Sequence, residues 1–591
     1  MQPAALVAAV ALGATAGWLL RPGAGAKLPD YELALAIPAG FSLALDNFPG
    51  VTVSANGRRQ VVTLVDDQGR SQLLLRDLDR AEARILPGTA GATSPVLSPA
   101  GDAVAFVLDG GLQRMSLAGG PPMHLAPSTS EFRGAAWSAD GFIYFSAGTS
   151  LPLARVPENG GPIEPVTELD AARRERTHRW PDALPDGSAV LFTSDTSDSS
   201  EFYDDARIEA VRPATGERKV VLERSSSARF LAPDHLLFAR AGTLFAVRFD
   251  AVKLTTSGTP VPLVQRVSTE VSSGAVRFAT AASGAAIWIP GELGAQQRRI
   301  VWVGRDGAMT PLGLPADRYI QFAISPDERY LAATIDGGAN QDLWSFDLAR
   351  GTKSRLTFAG SPTDFVWTPD GRRLAYGTSS TESGLDLFWK PADGSGEAEL
   401  LAHVEGEEFP VSFSPDGRAL LFETHPPGRD DSNIARLDLA ARTVEPVLAA
   451  PYGETFGALS PDGRWIAYTS AESPDRNQVI VQRYPELSGK WQVSLESGIE
   501  PKWAPEGDAI YYRGDGFLHR VPVDLRNGFV AGTPERIIGG VVRGPLGYTY
   551  AVARGGRVLL LRDENTKAPP AQVDLALDLA SRARRLTAPK R

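Results

Sequence analysis

The 591-residue chain has no cysteine, four methionines and six histidines. Without cysteine there is no disulfide scaffold, no thiolate metal site, no iron–sulfur cluster and no thiol nucleophile. The compartment stays open on this ground, since a large packed core holds in an oxidising space without bridges. An excess of positive charge is missing as well: 60 Lys+Arg against 70 Asp+Glu leave a formal charge of −10. Such a chain has no broad basic surface for phosphate backbones, and nucleic acid is not an expected partner. Long hydrophobic runs are scarce. The one that stands out is Ala4 to Leu20, 17 uncharged residues closed by Arg21 and Pro22. That length falls between the roughly 7–15 residues of a signal-peptide core and the roughly 20 of a spanning helix. Ala24-Gly25-Ala26 ahead of Lys27 fits a small-residue cleavage site. Either outcome exports the remainder of the chain, so the expected location is extracytoplasmic (periplasmic), with residues 4–20 as an inner-membrane anchor and residues 1–30 as the anchor or signal segment.

What the chain has in plenty is turn chemistry. Its 59 Gly and 45 Pro are spread throughout, which breaks up long helices and suits many short strands. Ser325-Pro326-Asp327-Glu328-Arg329, Thr368-Pro369-Asp370-Gly371-Arg372, Ser414-Pro415-Asp416-Gly417-Arg418 and Ser460-Pro461-Asp462-Gly463-Arg464 start 43, 46 and 46 residues apart. Proline presets φ at the first corner, the Asp carboxylate accepts nearby backbone N–H groups, and glycine takes the positive φ that closes the hairpin. These aspartates are therefore turn residues rather than catalytic carboxylates. Weaker copies run from Ser54-Ala55-Asn56-Gly57 to Arg554-Gly555-Gly556, giving twelve units. Within a unit, Phe365-Val366-Trp367, Arg373 to Gly377, Leu385 to Lys390 and Glu399-Leu400-Leu401 read as four short antiparallel strands. Four strands every 40–50 residues is the signature of a propeller blade. The expected fold is all-β: two six-bladed β-propellers in tandem, twelve four-stranded blades, after an N-terminal hydrophobic helix. The expected divisions are 31–293, 294–565 and a basic tail at 566–591. Glu32 to Ala36 is expected to close the first ring by joining its last sheet.

The Ser-Pro-Asp-Gly-Arg turns resemble those of the TolB-like, WD-repeat-like propellers, most strongly over residues 320–520. Leu117 to Pro122, Thr177 to Pro181, Arg299 to Gly307 and Lys390 to Gly396 also resemble the extracytoplasmic double-propeller half of bacterial membrane serine/threonine protein kinases. That likeness implies a sensing or docking module. Kinase activity does not carry over, because the Gly-rich loop, the catalytic-loop Asp-Asn set and the Asp-Phe-Gly are absent and His178-Arg179 continues with Trp180. Met1 stands three residues before the hydrophobic run, so the expectation is a module without its catalytic half.

No Gly-x-Ser-x-Gly elbow, Walker A loop, HExxH motif or EF-hand loop occurs. Three passages are candidates for binding. His178, Arg179 and Trp180 could line a channel mouth, against the blander reading of a blade-entry strand with Trp180 in an inter-blade core. Asp195, Asp198, Glu201, Asp204 and Asp205 offer oxygens to calcium, but without a ligand register they read as a solvated insertion loop. Glu405, Glu407 and Glu408 stand near Asp364 if entry strands share a channel, and read by default as a surface charge run. Phe365, Phe409 and Phe456 on entry strands complete the ligand-binding candidates. The tail around Arg582, Arg584 and Arg585 reads as a frayed terminus able to wind into a short basic amphipathic helix. The expected function is non-catalytic binding of a protein, peptide or glycan in the cell envelope, with no cofactor and no metal. The alternatives are the sensor of a split serine/threonine kinase system and a channel-based lyase or hydrolase.

Overall fold

The computed structural model describes residues 31–588, apart from 45–47, 67–69, 81, 128–131, 197–202, 204–205, 271–272, 292–296, 305–306, 338–340, 359–361, 381–383, 404–405, 427–431, 474–475, 515, 540–546 and 565–571. Outside the described residues lie the hydrophobic segment 4–20, the expected seam at 293–294, the boundary at 565–566, and Asp198, Glu201, Asp204, Asp205 and Glu405. Among the described residues no helix is long and apolar enough to cross a membrane.

The architecture is all-β, built mainly from four-stranded antiparallel sheets of the propeller-blade type, two of which are joined into one larger sheet by a short parallel pairing. The turns form as their residues dictate. In four copies the Ser or Thr hydroxyl donates to the turn Asp at 2.6 Å. The same Asp accepts the N–H two residues on, at 3.0–3.1 Å. Gly371, Gly417 and Gly463 take φ of 67–70°, and Glu328 is forced to 58° in the copy lacking glycine. These aspartates are thus committed to their own turns.

The sheets fall into two sets. In the first, the leading strands Val51–Val53, Thr93–Leu97, Ala135–Trp137, Glu175–Ala183, Ser226–Leu231 and Phe278–Thr280 each pack on the next, and Phe278–Thr280 packs back on Val51–Val53. In the second, the order is Tyr319–Ile324, Phe365–Trp367, Gly406–Phe413, Glu454–Leu459, Ile499–Trp503 and Tyr550–Val552, which returns to Tyr319–Ile324. Apolar side chains fill the spaces between neighbouring sheets, as in the Ala458, Trp465, Trp503 and Phe529 cluster, because a four-stranded sheet cannot cover both faces alone.

Each set has one sheet made from distant parts of the chain. In the second, Arg298–Val303 pairs with Val558–Asp563. In the first, Gln572–Ala576 inserts between Ala286–Trp288 and Glu32–Ala36. Glu32–Ala36 therefore does join the last sheet of the first set, through a strand supplied by the stretch expected as a basic tail. Over its described residues, 572–588, that stretch is ordered into a strand and a helix rather than frayed. After its strand, Asp578 caps the helix Leu579–Thr587 by accepting from Ser581 N. Leu579, Ala580 and Ala583 then bury against Leu237, Leu244 and Trp288. The arginines misled because they occupy only the outer side; Arg582 pairs with Glu32 at 2.5 Å.

Candidate functional site

The leading strands are not regular. Four residues before the turn, Gly50, Ser94, Gly134 and Trp180 in the first set, and Phe456 and Glu500 in the second, all have φ between 53° and 97°. The register slips there, between Arg179 and Asp182 or between Ile499 and Lys502 for example. This is a bulge, which re-aims side chains and frees an N–H from the ladder. The freed N–H finds the preceding sheet: Phe456 N donates to Glu423 Oε1 at 2.5 Å and Glu500 N to Thr469 Oγ1 at 3.1 Å. Glu423 and Thr469 each stand nine residues after the first residue of their own turn. The repeat thus places two kinds of position where leading strands converge.

In the first set they surround a cavity of about 230 Å³, lined by residues from all six leading strands. Its walls are mainly small and neutral, with Gly50, Ser94, Ala135 and Ala279 among them and Trp137, Phe230 and Phe278 as aromatic surfaces. Two charged residues line it, Asp182 and Arg229, with Oδ1 and Nε 3.9 Å apart. Asp182 Oδ2 accepts from Phe230 N at 2.7 Å. Burial pushes its carboxyl up to about 6, against the pull of Arg229 and that N–H. Trp180 backs the cavity: it is fully buried, its Nε1 donates to Ser273 O at 2.9 Å, and a Cβ on Gly134 would meet its ring at 2.8 Å.

In the second set the same positions bring charge together. Asp364, Glu423, Glu500 and Lys502 influence one another, with Gln321, His425 and Tyr548 around them. Glu500 faces Arg513 at 3.4 Å and Glu423 faces His425 at 3.4 Å. Lys502 Nζ rests 3.4 Å from the centre of the Tyr548 ring. Burial, then repulsion by Glu423 and Glu500, pushes the Asp364 carboxyl up to about 8. The Gln321 amide donates through Nε2 to Thr363 O at 3.0 Å, which turns Oε1 toward Asp364. A Cβ on Gly547 would collide with that Oε1 and lie 2.5 Å from Asp364 Oδ1. Glycine is the residue that leaves room for both oxygens, and Asp364 Oδ1 has no hydrogen-bond partner among the described residues. One strand away, Glu408 is 1% exposed and neither carboxylate oxygen has a hydrogen-bond partner among the described residues. Burial, then Asp386 and Glu407, raises it to about 10, so it is a neutral acid at physiological pH.

His178, Arg179 and Trp180 are all buried and committed inside the first set. His178 contacts Thr167 Oγ1 at 2.8 Å and Glu175 Oε2 at 3.1 Å. Arg179 donates to Thr149 O at 2.7 Å and Ser273 O at 3.0 Å. Asp195, expected in a solvated loop, is 2% exposed on the strand Val190–Thr196 and binds Arg176 Nε at 3.0 Å. The surface reading of the glutamate run fails for the same reason. Glu408 is enclosed between neighbouring sheets, and Glu407 reaches Arg176 of the first set at 3.5 Å. Phe365 is packed into a core with Trp367 and Leu374. Phe409 and Phe456 are half-buried and meet His425 and Tyr548 edge-on at 5.0 and 5.4 Å. Lys502, Glu423 and Glu500 are not among the candidates that motifs single out. The available signal is departure from the repeat: the ninth position after the turn is Thr63, Thr193, Thr334 and Thr469 in four units but Glu423 and Arg513 in two others.

No family model matches the chain. An uncharacterized protein of Agrobacterium fabrum is 27% identical over 157 residues, 25% of this chain and 52% of that protein. A TolB homolog of Chlorobium chlorochromatii is 34% identical over 100 residues, 17% of this chain and 22% of that protein. The chain therefore spans about half of the first relative and about a fifth of the second. Among solved structures, a putative TolB from Agrobacterium tumefaciens aligns with 46% of this chain and 100% of its own, at 17% identity and a TM-score of 0.38. TolB from Acinetobacter baumannii aligns with 52% and 79%, at 18% identity and a TM-score of 0.32. At such scores the alignments set no fold, which rests instead on the sheets described above. Among the described residues no group of three His, Cys, Asp or Glu side chains could hold a metal ion.

Proposed function

We propose that the chain is an exported, envelope-located, non-catalytic double propeller that binds a segment of another protein at the axis of its first ring. The leading strands pack in two closed cycles of six, which supports two six-bladed propellers. The observation that carries the binding reading is the cavity whose wall takes residues from all six leading strands of one cycle. Such axial openings, rimmed by loops on a rigid scaffold, are where ring-shaped repeat proteins receive ligands. Its mostly neutral walls suit an apolar or lightly polar chain segment better than a sugar, whose many hydroxyls need partners that glycine, alanine and proline do not supply. The short similarity to a TolB homolog agrees with a location in the envelope. The anchor at residues 4–20 and the contacts from Phe409 and Phe456 belong to the same proposal. The kinase-sensor alternative rests on the sequence resemblance alone.

The test is capture from envelope extract with the full chain in detergent. A partner retained by the wild type and lost when Ala135→Trp fills the cavity, at an unchanged melting temperature, supports the reading. Capture unaffected by Ala135→Trp, or turnover of a substrate at that cavity, overturns it.

A further inference from the structure

The helix Leu579–Thr587 buries one side in the first set and presents the other to solvent, with Arg584, Arg585 and Leu586 exposed. Arg582, Arg585 and Leu586 stand at i, i+3 and i+4, on one face of the helix. Arg582 reaches Glu32, on the strand by which the chain enters the first set. Just before that strand, Tyr31 O accepts from Leu577 N at 3.1 Å. The basic helix therefore begins where the chain comes in. At its far end, His235 Nε2 meets Thr587 Oγ1 at 2.7 Å. Burial lowers the His235 imidazole, and Arg248 and Arg584 lower it further against the pull of Asp234, so both guanidiniums lie beside one ring. No acid pairs with Arg584 or with exposed Arg248 among the described residues. We propose that the outer face of this helix is a membrane contact, which lays Arg584, Arg585 and Leu586 on the anionic lipid of the bilayer that residues 4–20 enter.

The inference rests on the anchor reading given above. Ten residues separate Leu20 from Tyr31, so Tyr31 stands at most about 40 Å from the bilayer. The nine-residue helix beside it is only about 14 Å long. A few exposed arginines would not hold an untethered protein to a membrane. With a short tether supplying the local concentration, they need only decide which side faces the lipid. Charge complementarity makes that decision. Residues 565–591 hold six Lys/Arg against two Asp, in a chain whose formal charge is −10. An anionic surface repels the acidic remainder and attracts this face. Leu586, 53% exposed among the arginines, then enters the headgroup region while the guanidiniums meet phosphates. An acidic protein would suit the arginines too, but the nearness of the tether favours lipid.

The absence of native cysteine makes a single label unambiguous. The full chain carrying Leu586→Cys with an environment-sensitive fluorophore is reconstituted with vesicles of phosphatidylcholine, alone or mixed with phosphatidylglycerol. The label is expected to brighten at least about twofold when phosphatidylglycerol is present, and to lose that gain at high salt. A label on Val530→Cys, 62% exposed in the second set, should not respond. Arg584→Ala with Arg585→Ala should weaken the contact about 25-fold, each arginine near an anionic surface being worth about fivefold. Flotation with the neutral vesicles reads the anchor by itself. A chain that floats with both vesicles while its label ignores phosphatidylglycerol overturns the proposal and leaves the anchor standing. A chain that floats with neither overturns both. A label that brightens only on addition of soluble envelope extract gives the face to an acidic protein and overturns the lipid contact. None of these outcomes bears on capture of a protein at the first axis.

Discussion

The two axes use one backbone device for opposite ends. In both, a bulge four residues before the turn aims side chains to where leading strands meet. At the first axis those positions hold Gly50, Ser94, Gly134 and Trp180, and the result is a small open cavity backed by a packed indole. At the second they hold Gln321, Asp364, Phe456 and Glu500, and charged groups converge there instead. Blade geometry fixes where residues converge but leaves open what they do there. A scaffold of repeats can therefore carry a receptacle in one ring and a polar cluster in the other.

The contrast predicts that the first axis fails by losing packing. Trp180→Ala removes a fully buried indole and its hydrogen bond to Ser273, and is expected to cost about 3–5 kcal/mol at any pH. Phe456→Ala at the corresponding position of the second axis, half-buried, should cost about 1–2 kcal/mol. Paired denaturant titrations check both, and equal losses would dissolve the distinction between a packed and a charged axis.

Glycine substitutions probe the same contrast more gently. Gly547→Ala collides with Gln321 and Asp364 at a φ of 57°, and a loss of about 1–3 kcal/mol is expected. Because the collision is with Asp364 and its amide neighbour, it should also alter the pH dependence of melting, which Gly134→Ala against Trp180 should not.

The acids then separate the axes by pH. A carboxyl raised on folding contributes stability that is whole below its unfolded value of about 4 and is lost as pH rises through the folded value. For Asp182 that loss is complete near pH 6, and for Asp364 near pH 8. Lys502 is depressed, so its own contribution is present above its unfolded value of about 10.4 and is lost as pH falls through about 8. Between pH 6 and 8 the falling slope of the melting temperature should therefore become shallower in Asp364→Asn, where the Glu408 contribution remains, and persist unchanged in Asp182→Asn. A slope left unchanged by Asp364→Asn would remove the proton from the second axis.

The hairpin turns and most strands are legible in the sequence because their signals are local: proline, aspartate and glycine act within five residues. The axis is not. Glu405 to Glu408 looks like a charged surface, since a bulged strand breaks the simple alternation that sorts inside from outside. The strand Gly384–Pro391 lies parallel beside Gly406 and Glu407, next to buried Glu408, a pairing between sheets that nothing local encodes. The last strand, Gln572–Ala576, escapes a sequence reading for a related reason: five residues carry too little pattern to reveal a partner as distant in the chain as Ala286–Trp288. Lys502 is readable only by aligning the units and asking which ones depart from the rest.

The smallest expected effect concerns the join between the regions compared. Arg176 Nη1 to Glu407 Oε1, at 3.5 Å, is the ion pair that links the two sets among the described residues. Arg176 keeps Asp195 and the Tyr203 hydroxyl at 3.0 and 2.5 Å when Glu407 is neutralised, so no buried charge is orphaned. The pair is largely buried, but with those partners kept Glu407→Gln should cost only about 1 kcal/mol, the worth of one hydrogen bond. The informative reading is cooperativity rather than the midpoint. If this pair couples the rings, Glu407→Gln should broaden or split the calorimetric transition. A single sharp transition in the variant would place the coupling in the shared chain crossings instead, where Gln572–Ala576 returns from the second set to close the first.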